Sequence, residues 1–253
     1  MNAQIKIAVL LSTYNGEKFL AEQIDSLLAQ SHKNFILIVR DDGSHDRTVS
    51  ILESYALDHS VQIHLLSRDG QNLGASGGFA FLVDYVIKNK ESLGLTSSYM
   101  MFCDQDDTWF PEKIEKLLAA MLAAEADNDS ALPIIVHSDL EVVSEQNTVI
   151  AKSLISYQGL EIKRNSFPNL VISNLVTGCT ALINQSLAEK ALPIPEDAIM
   201  HDWWLALVAT AFGKSVYLNI PLVHYRQHGN NAIGAKEFTK VSVVSMSLWR
   251  RTL

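Results

Sequence analysis

Three carboxylates, Asp104, Asp106 and Asp107, fall within four residues of one another, directly after an apolar run at 99–103 that predicts a short buried strand. Carboxylates this close resist ionising together, and a bound divalent cation removes the conflict. Mg²⁺ and Mn²⁺ take oxygen ligands and often carry substrate phosphates. The motif therefore indicates a metal that holds a phosphorylated substrate. The alternative is a solvated acidic turn before the next helix, because so short a motif is often fortuitous.

The composition bounds the function classes. The chain has 253 residues, 48% hydrophobic and 19% charged, which suffices for one large α/β domain or two small ones. It contains no repeat and no linker rich in Pro, Gly or Ser, which favours one domain. A formal charge of −8 argues against nucleic acid as a partner. An anionic substrate then needs local help from a metal, a helix N-terminus or a few cations.

Two further features bear on location. Cys103 and Cys179 lie in apolar runs without paired spacing, which favours core packing over a disulfide or a metal site. The N-terminus lacks the pattern of a signal peptide, and no apolar run reaches membrane-spanning length. We therefore expect a cytoplasmic protein that could contact the inner face of the cell membrane.

The elements that must position the acidic motif follow a regular rhythm. Strands are predicted at 5–11, 34–40, 61–66 and 99–103, and helices at 17–30, 46–58, 72–89 and 111–126. This alternation implies a mainly parallel sheet with right-handed crossovers, in which ligands bind beyond the carboxyl ends of the strands. Residues 12–14, 41–42, 72–74 and 104–107 all follow strands, so they should form one cleft.

The second half of the chain is less regular. A strand is predicted at 134–143, a polar irregular stretch at 144–173, and a return to strand at 174–183. A helix should begin at His201 and end near Gly213, with strands at 216–225. A polar stretch of that length usually carries a function or small elements of its own.

With these pieces in place, the chain resembles the family 2 glycosyltransferases, which have the GT-A fold. The matching pieces are LSTYNG at 11–16, DDGS at 41–44, NLG at 72–74, DQDD at 104–107, HDWW at 201–204 and YRQH at 225–228. The resemblance implies an α/β fold in which a Rossmann-like, mainly parallel sheet is flanked by helices, with a smaller acceptor-side portion. It implies one domain at 1–235, with a nucleotide-binding half at about 1–110 and an acceptor half at about 111–235, followed by a tail at 236–253.

The resemblance also implies a donor site built from the strand-end turns. The donor-binding residues it implies are Ser12, Tyr14, Asp41, Asp42, Asn72, Gly74 and Asp104. The Asp42 carboxylate suits the N3–H donor of a pyrimidine, and the Tyr14 ring can stack on the base. Asp41 could instead only orient its loop, and the turn at 72–74 could be a plain loop-to-helix junction.

For the metal, the resemblance implies Asp106 as a direct ligand of Mn²⁺ or Mg²⁺, with Asp104 reaching ribose or a metal-bound water. His228 matches the late histidine that completes the metal site in some relatives. A purely structural histidine is an equal alternative, although neutral imidazole does bind divalent metals.

On the acceptor side, Asp202 matches the acidic residue that serves the family as general base. The alternative is a carboxylate that stabilises the helix N-terminus. His201, Trp203 and Trp204 are its neighbours and candidate acceptor contacts. Adjacent tryptophans on a helix point in different directions, so at least one of them should pack in the core.

Together these features predict an inverting, metal-dependent glycosyltransferase. Within the family the motifs look most like bacterial rhamnosyltransferases, which implies transfer of L-rhamnose from dTDP-rhamnose to a lipid-linked or growing surface glycan. The alternatives are a UDP-hexose-dependent enzyme of the same fold and a non-catalytic carbohydrate-binding relative. The segment 236–253 combines basic and apolar residues, so it could contact an anionic membrane, pack as a final helix or begin a longer region.

Overall fold

A computed structural model describes residues 5–67, 70–127, 131–229, 231 and 234–237. The predicted membrane contact of the segment 236–253 therefore lies almost entirely outside the described residues. Within those ranges, no helix combines the length and the apolar content needed to span a bilayer.

The described residues contain nine strands in one sheet. They are β1 (Ile7–Thr13), β2 (Phe35–Asp41), β3 (Ile63–Leu65), β4 (Tyr99–Cys103), β5 (Thr108–Trp109), β6 (Ile134–Ser144), β7 (Val149–Ala151), β8 (Ala181–Ile183) and β9 (Lys214–Gln227). The eight described α-helices are α1 (Leu20–Leu28), α2 (Thr48–Asp58), α3 (Gly74–Asn89), α4 (Lys113–Ala126), α5 (Leu154–Tyr157), α6 (Phe167–Leu170), α7 (Gln185–Ala191) and α8 (His201–Phe212).

The sheet has the order β3-β2-β1-β4-β8-β6-β9-β5, with β7 paired on β6. The first four strands are parallel, as predicted, and most paired residues of the whole sheet lie in parallel ladders. Strand β8 runs antiparallel to both β4 and β6. Its beginning therefore lies beside the carboxyl end of β4, and the turn at 178–180 reaches the edge of the sheet where the acidic motif sits.

The sheet is covered by helices on both faces, because alternate side chains of each strand point to opposite sides. In β1, Ile7, Val9 and Leu11 belong to a core cluster with residues of α1, α2 and α4. Ala8 and Leu10 belong to a second cluster with residues of α3, α7 and α8. All five side chains are fully buried, which explains why β1 is apolar without alternation.

The strand predicted at 174–183 is mostly wrong. Only Ala181–Ile183 is a strand, and Gly178–Thr180 forms a 3₁₀ turn. The backbone of the preceding residues is bonded by side chains instead of by a neighbouring strand. In the side chain of Asn174, Oδ1 accepts from Val176 N–H at 3.0 Å and Nδ2 donates to Val176 O at 2.7 Å. The Gly178 N–H donates to the Asp202 carboxylate at 2.7 Å. This stretch is therefore a loop that lies against α8.

We expect Asn184→Ala to destabilise the fold without touching the candidate site. Its buried side chain accepts from Ile134 N–H and Leu187 N–H, and it donates to Leu132 O and to Glu125. Removing it leaves buried backbone groups unpaired, which should lower the free energy of unfolding by about 1–3 kcal/mol. Urea denaturation measures this change, and a loss below about 0.5 kcal/mol, typical of surface substitutions, would contradict it.

Candidate active site

One cavity of about 550 Å³ opens at the carboxyl ends of the parallel strands. Ten of the residues predicted for the site line it: Ser12, Tyr14, Asp42, Asn72, Gly74, Asp104, Asp106, His201, Asp202 and Trp203. The single cleft predicted from the strand-end turns is therefore present. Asp41, His228 and Trp204 do not belong to that lining, although the His228 ring contacts the carboxylate of Asp106, which does.

The turns after β1 and β2 are locked together by side chain to backbone hydrogen bonds. Asn15, in a left-handed conformation with φ of 48°, donates its N–H to Ser44 Oγ at 2.9 Å. The Asp41 carboxylate accepts from Ser44 N–H at 3.0 Å and from Gly43 N–H at 3.3 Å. Asp41 thus turns toward its own loop and away from the cavity, which favours the loop-orienting interpretation over direct donor contact.

Asp42 faces the cavity from a buried ion pair. Its carboxylate lies 3.3 Å from Arg40 Nε and accepts the Gly74 N–H at 2.8 Å. Asn72 Oδ1 accepts the same N–H at 3.1 Å. Gly74 has φ of +68°, a conformation that favours glycine. The turn at 72–74 is therefore built onto Asp42, and the start of α3 adjoins the cavity.

Gln105, which sequence reasoning missed, joins the acidic motif to the turn after β1. Its Oε1 accepts the Tyr14 N–H and its Nε2 donates to Tyr14 O, both at 2.9 Å. A Cβ on Gly16 would lie 2.2 Å from Gln105 Oε1, so the close approach requires glycine there. The only available signal was the position of Gln105 between two candidate ligands. The paired bonds fix Tyr14, whose side chain is 46% exposed, above the motif.

The acidic motif carries strong charge repulsion. Burial raises the pKa of Asp104 to about 7, assisted by the carboxylates of Asp106 and Asp202. Burial also raises the pKa of Asp107 well above its usual range, again with help from Asp106 and Asp104. A divalent cation would stabilise the ionised forms, so these oxygen ligands fit Mg²⁺ or Mn²⁺.

Two sets of side chains could hold that cation. Asp104 and Asp106 line the cavity, and His228 Nε2 lies 2.8 Å from Asp106 Oδ2, so His228 contacts one of the two predicted carboxylate ligands. Alternatively, Asp104, Asp107 and Cys179 each place one ligand atom within 4.8 Å of the others. We favour the first set. Asp107 and Cys179 are fully buried, and the buried Lys113 amine donates to the Cys179 backbone carbonyl, so an amine already lies beside this second set.

Asp202 is held at the start of α8 from the side of the 174–178 loop. One carboxylate oxygen accepts from Gly178 N–H at 2.7 Å, and the other accepts from Asn174 Nδ2 at 3.3 Å. Burial raises the pKa of Asp202 to about 6, against the opposing effect of the Gly178 and Trp203 N–H groups. Asp202 belongs to the first helical turn and also lines the cavity, so a helix-terminal position and a proton-accepting position coincide.

The neighbours of Asp202 divide between cavity and core. His201 lines the cavity, packs on the rings of Phe79 and Phe102, and has no hydrogen-bond partner at either ring nitrogen among the described residues. Burial lowers the pKa of His201 to about 3, so its ring is neutral. Trp203 lines the cavity. Trp204 instead donates to Ala191 O at 2.9 Å and packs on the core, which corrects its predicted acceptor contact.

Comparison with known proteins decides what this cavity belongs to. The family model for glycosyl transferase family 2 matches residues 8–190. The chain belongs to this family. RfbG of Shigella flexneri, named a dTDP-rhamnosyl transferase, is 28% identical over 95% of this chain and 79% of its own length. TuaG of Bacillus subtilis, named a putative teichuronic acid biosynthesis glycosyltransferase, is 26% identical over 90% of this chain and 96% of its own length.

Solved structures show that this family 2 glycosyltransferase has the GT-A fold. S. aureus TarS, solved with UDP-GlcNAc, superposes with a TM-score of 0.62 at 16% identity over 90% of this chain. A mannosyltransferase from Pyrobaculum calidifontis, solved with GDP-Man and Mn²⁺, gives 0.60 at 15% identity over 98% of this chain. The chain spans 60% and 62% of the lengths of those two solved chains.

Gly178 tests whether the 174–178 loop positions Asp202. A Cβ at Gly178 would lie 2.9 Å from His201 Nε2 and 3.4 Å from Asp202 Oδ2. Gly178→Ala should displace the His201 ring and place a methyl group against Asp202, costing about 1–3 kcal/mol of stability by overpacking and roughly 10²-fold in transfer rate. Urea denaturation and a donor-turnover assay measure the two effects.

The matched control is Gly229→Ala, because a Cβ there meets nothing within 4 Å. It should leave the free energy of unfolding within about 0.5 kcal/mol of the parent protein. Equal stability and equal turnover in the two alanine variants would show that Gly178 does not control Asp202.

Proposed function

We propose that this protein is an inverting, metal-dependent glycosyltransferase that moves a sugar from a nucleotide-sugar donor to a saccharide acceptor. The observation that carries the proposal is that the acidic motif and Asp202 share one cavity, close enough for the Asp202 carboxylate to raise the pKa of Asp104. The acidic motif can then hold a cation for the leaving diphosphate, while Asp202 serves the attacking hydroxyl. No protein nucleophile is needed, since a single displacement inverts the anomeric carbon.

The donor nucleotide is assigned to the turns after β1 and β2. Tyr14 is fixed by Gln105 and exposes its ring, which suits stacking on a base. The Asp42 carboxylate is buried and polarised by Arg40, and its remaining lone pairs suit the N3–H of a pyrimidine. Ser12 lines the same wall. Asp41 acts in this proposal only through the loop that it orients.

The diphosphate is assigned to the space between the 72–74 turn and the acidic motif. Gly74 and Asn72 bring the start of α3 to the cavity, where backbone N–H groups favour anions. Asp104, Asp106 and His228 would hold Mn²⁺ or Mg²⁺. When bound, the ion neutralises the charge that develops on the departing diphosphate.

The acceptor is assigned to the side of the cavity formed by α8 and the 174–178 loop. Asp202 accepts the proton of the acceptor hydroxyl as the hydroxyl oxygen attacks the anomeric carbon. The bond from that carbon to the phosphate oxygen breaks on the opposite face. Trp203 presents an aromatic face that suits sugar C–H surfaces, and His201 lies beside it as a neutral polar contact.

For the donor sugar we propose L-rhamnose carried on dTDP. The motif resemblance and the likeness to RfbG support this choice. A UDP-hexose is the alternative, which the fold shared with the UDP-GlcNAc complex of TarS keeps open. The proposed acceptor is a lipid-linked or growing surface glycan, met at the cytoplasmic face of the membrane. A non-catalytic carbohydrate-binding relative is disfavoured because Asp104, Asp106 and Asp202 all reach the cavity.

A thermal-shift screen of nucleotide-sugars with Mn²⁺ tests the donor directly. A donor at a hundred times its Kd should add about 2.7 kcal/mol of stability. Selective stabilisation by dTDP-rhamnose supports the rhamnosyl assignment. Stabilisation by a UDP-hexose in its place would select the alternative, and no stabilisation by any nucleotide-sugar would contradict the donor site.

The metal assignment predicts that chelation abolishes transfer and that Mn²⁺ or Mg²⁺ restores it. Asp106→Ala should weaken metal-dependent donor binding by at least roughly 10–100-fold, because loss of a group that merely orients a ligand already has that effect. Calorimetric donor titrations with and without Mn²⁺ measure this, with circular dichroism as the folding control. Full transfer activity in excess chelator would sink the assignment.

The base assignment predicts that Asp202→Asn lowers transfer by roughly 10²–10⁴-fold, while donor affinity changes little. In the parent protein the rate should fall as the pH drops below about 6, because the pKa of Asp202 is raised to about 6 by burial and the protonated form cannot act as a base. This pH dependence should vanish in Asp202→Asn. Loss of donor binding instead, seen by calorimetry, would make Asp202 a donor ligand.

A further inference from the structure

Arg226 is a buried residue that the proposed mechanism leaves unused. It lies at the end of β9 within the YRQH motif, and its side chain is only 2% exposed. A guanidinium is always charged and is costly to bury unless its N–H groups are paired. The burial of Arg226 therefore requires hydrogen-bond partners for its N–H groups.

Two of the groups that accept hydrogen bonds from Arg226 belong to the acidic motif. Its Nε donates to the backbone carbonyl of Asp106 at 2.9 Å, and its own backbone N–H donates to Asp107 Oδ1 at 3.1 Å. The outer nitrogens donate to Glu145 O at 3.1 Å and to the Glu22 carboxylate. One residue thus joins the acidic motif to α1 and to the end of β6.

Arg226 is also coupled to the predicted metal ligand two residues later. The Arg226 guanidinium lies 4.6 Å from the centre of the Phe19 ring, and the His228 ring packs on the same phenylalanine at 4.9 Å between centroids. His228 in turn contacts the Asp106 carboxylate. Asp106 is therefore fixed through its backbone by Arg226 and at its side chain by His228, and both partners rest on Phe19.

We propose that Arg226 is a positioning residue that orients Asp106 and His228 for a divalent cation. This inference rests on the metal site of the proposed function. Groups that orient metal ligands without touching the metal commonly change its affinity by roughly 10–100-fold when removed. Because Arg226 acts through a backbone carbonyl, the direction of its N–H groups matters as well as its charge.

Substitution of Arg226 by lysine tests the direction of its N–H groups separately from its charge. Arg226→Lys keeps a cation near Glu22, but an ammonium lacks the planar fork that serves Asp106 O, Glu145 O and Glu22 together. Arg226→Met removes the charge and keeps much of the volume. Asn184→Ala is the stability control, since it removes a buried, multiply bonded side chain at the opposite edge of the sheet.

The experiment measures Mn²⁺ affinity by calorimetry on the donor-free protein, together with kcat, KM and the Mn²⁺ dependence of turnover. Arg226→Lys and Arg226→Met should each weaken Mn²⁺ binding by roughly 10–100-fold, while Mn²⁺-independent nucleotide binding stays unchanged. Asn184→Ala should keep parental Mn²⁺ affinity. Parental affinity in Arg226→Lys, or an equal loss in Asn184→Ala, would overturn the proposal.

A second measurement is independent of the metal. Amide hydrogen exchange at residues 104–107 of the metal-free protein should be faster in both Arg226 variants than in the parent protein and in Asn184→Ala. If the parent protein binds no Mn²⁺ either alone or together with a nucleotide diphosphate, the metal part of the proposed function fails, and exchange alone decides the positioning role. Unchanged exchange at 104–107 in both Arg226 variants would refute it.

Discussion

Repulsion among buried carboxylates is the constraint on which this structure turns. Neighbouring carboxylates add to the effect of burial in raising the pKa of Asp104 and of Asp107, and the residues Asp107 and Asp202 are more than nine-tenths buried. Separating such groups would make the fold more stable, because buried charge without a partner is costly. The surrounding elements are arranged so that the acids stay together at one edge of the sheet.

Two buried cationic side chains, Lys113 and Arg226, lie near the acidic motif. Lys113 lies 3.1 Å from the centre of the Trp109 ring and donates to the Cys179 carbonyl, and burial lowers the pKa of Lys113 to about 7. Arg226 donates to the backbone carbonyl of Asp106. Toward the cavity, Asp104 and Asp106 face no arginine or lysine among the described lining residues. The uncompensated charge is thus directed to the place where ligand would bind.

Topology explains how distant segments reach the same edge. In a purely parallel sheet, only turns after strands would collect there. The antiparallel insertion of β8 brings the start of that strand to the same edge, and with it the loop that holds Asp202. Strand β9 ends beside the acidic motif because it pairs with β5, which follows that motif directly. Residues from four widely separated parts of the chain therefore meet in one cavity.

The sequence predicted the elements whose signals are local. The strand at 99–103 has the predicted bounds, and α3, which ends at Asn89 as predicted, begins within two residues of the expected position, since apolar runs and turn residues suffice to define them. Hydrogen bonds between side chains and backbone groups that are far apart in the sequence could not be predicted from such local signals. The Gly178 N–H, which would pair with a neighbouring strand if 174–183 were a strand, donates to the Asp202 carboxylate instead. No residue near Gly178 in the sequence indicates this hydrogen bond. Gln105 and Arg226 likewise act on backbone far away in the chain.

The paired hydrogen bonds between Gln105 and the Tyr14 backbone have a thermodynamic consequence. They join the turn proposed to hold the base to the motif proposed to hold the metal, so the position of one wall of the cavity constrains the other. Whatever orders one wall lowers the entropic cost of ordering the other. Base and cation should therefore bind with positive cooperativity, and the coupling free energy must be the same whichever of them arrives first.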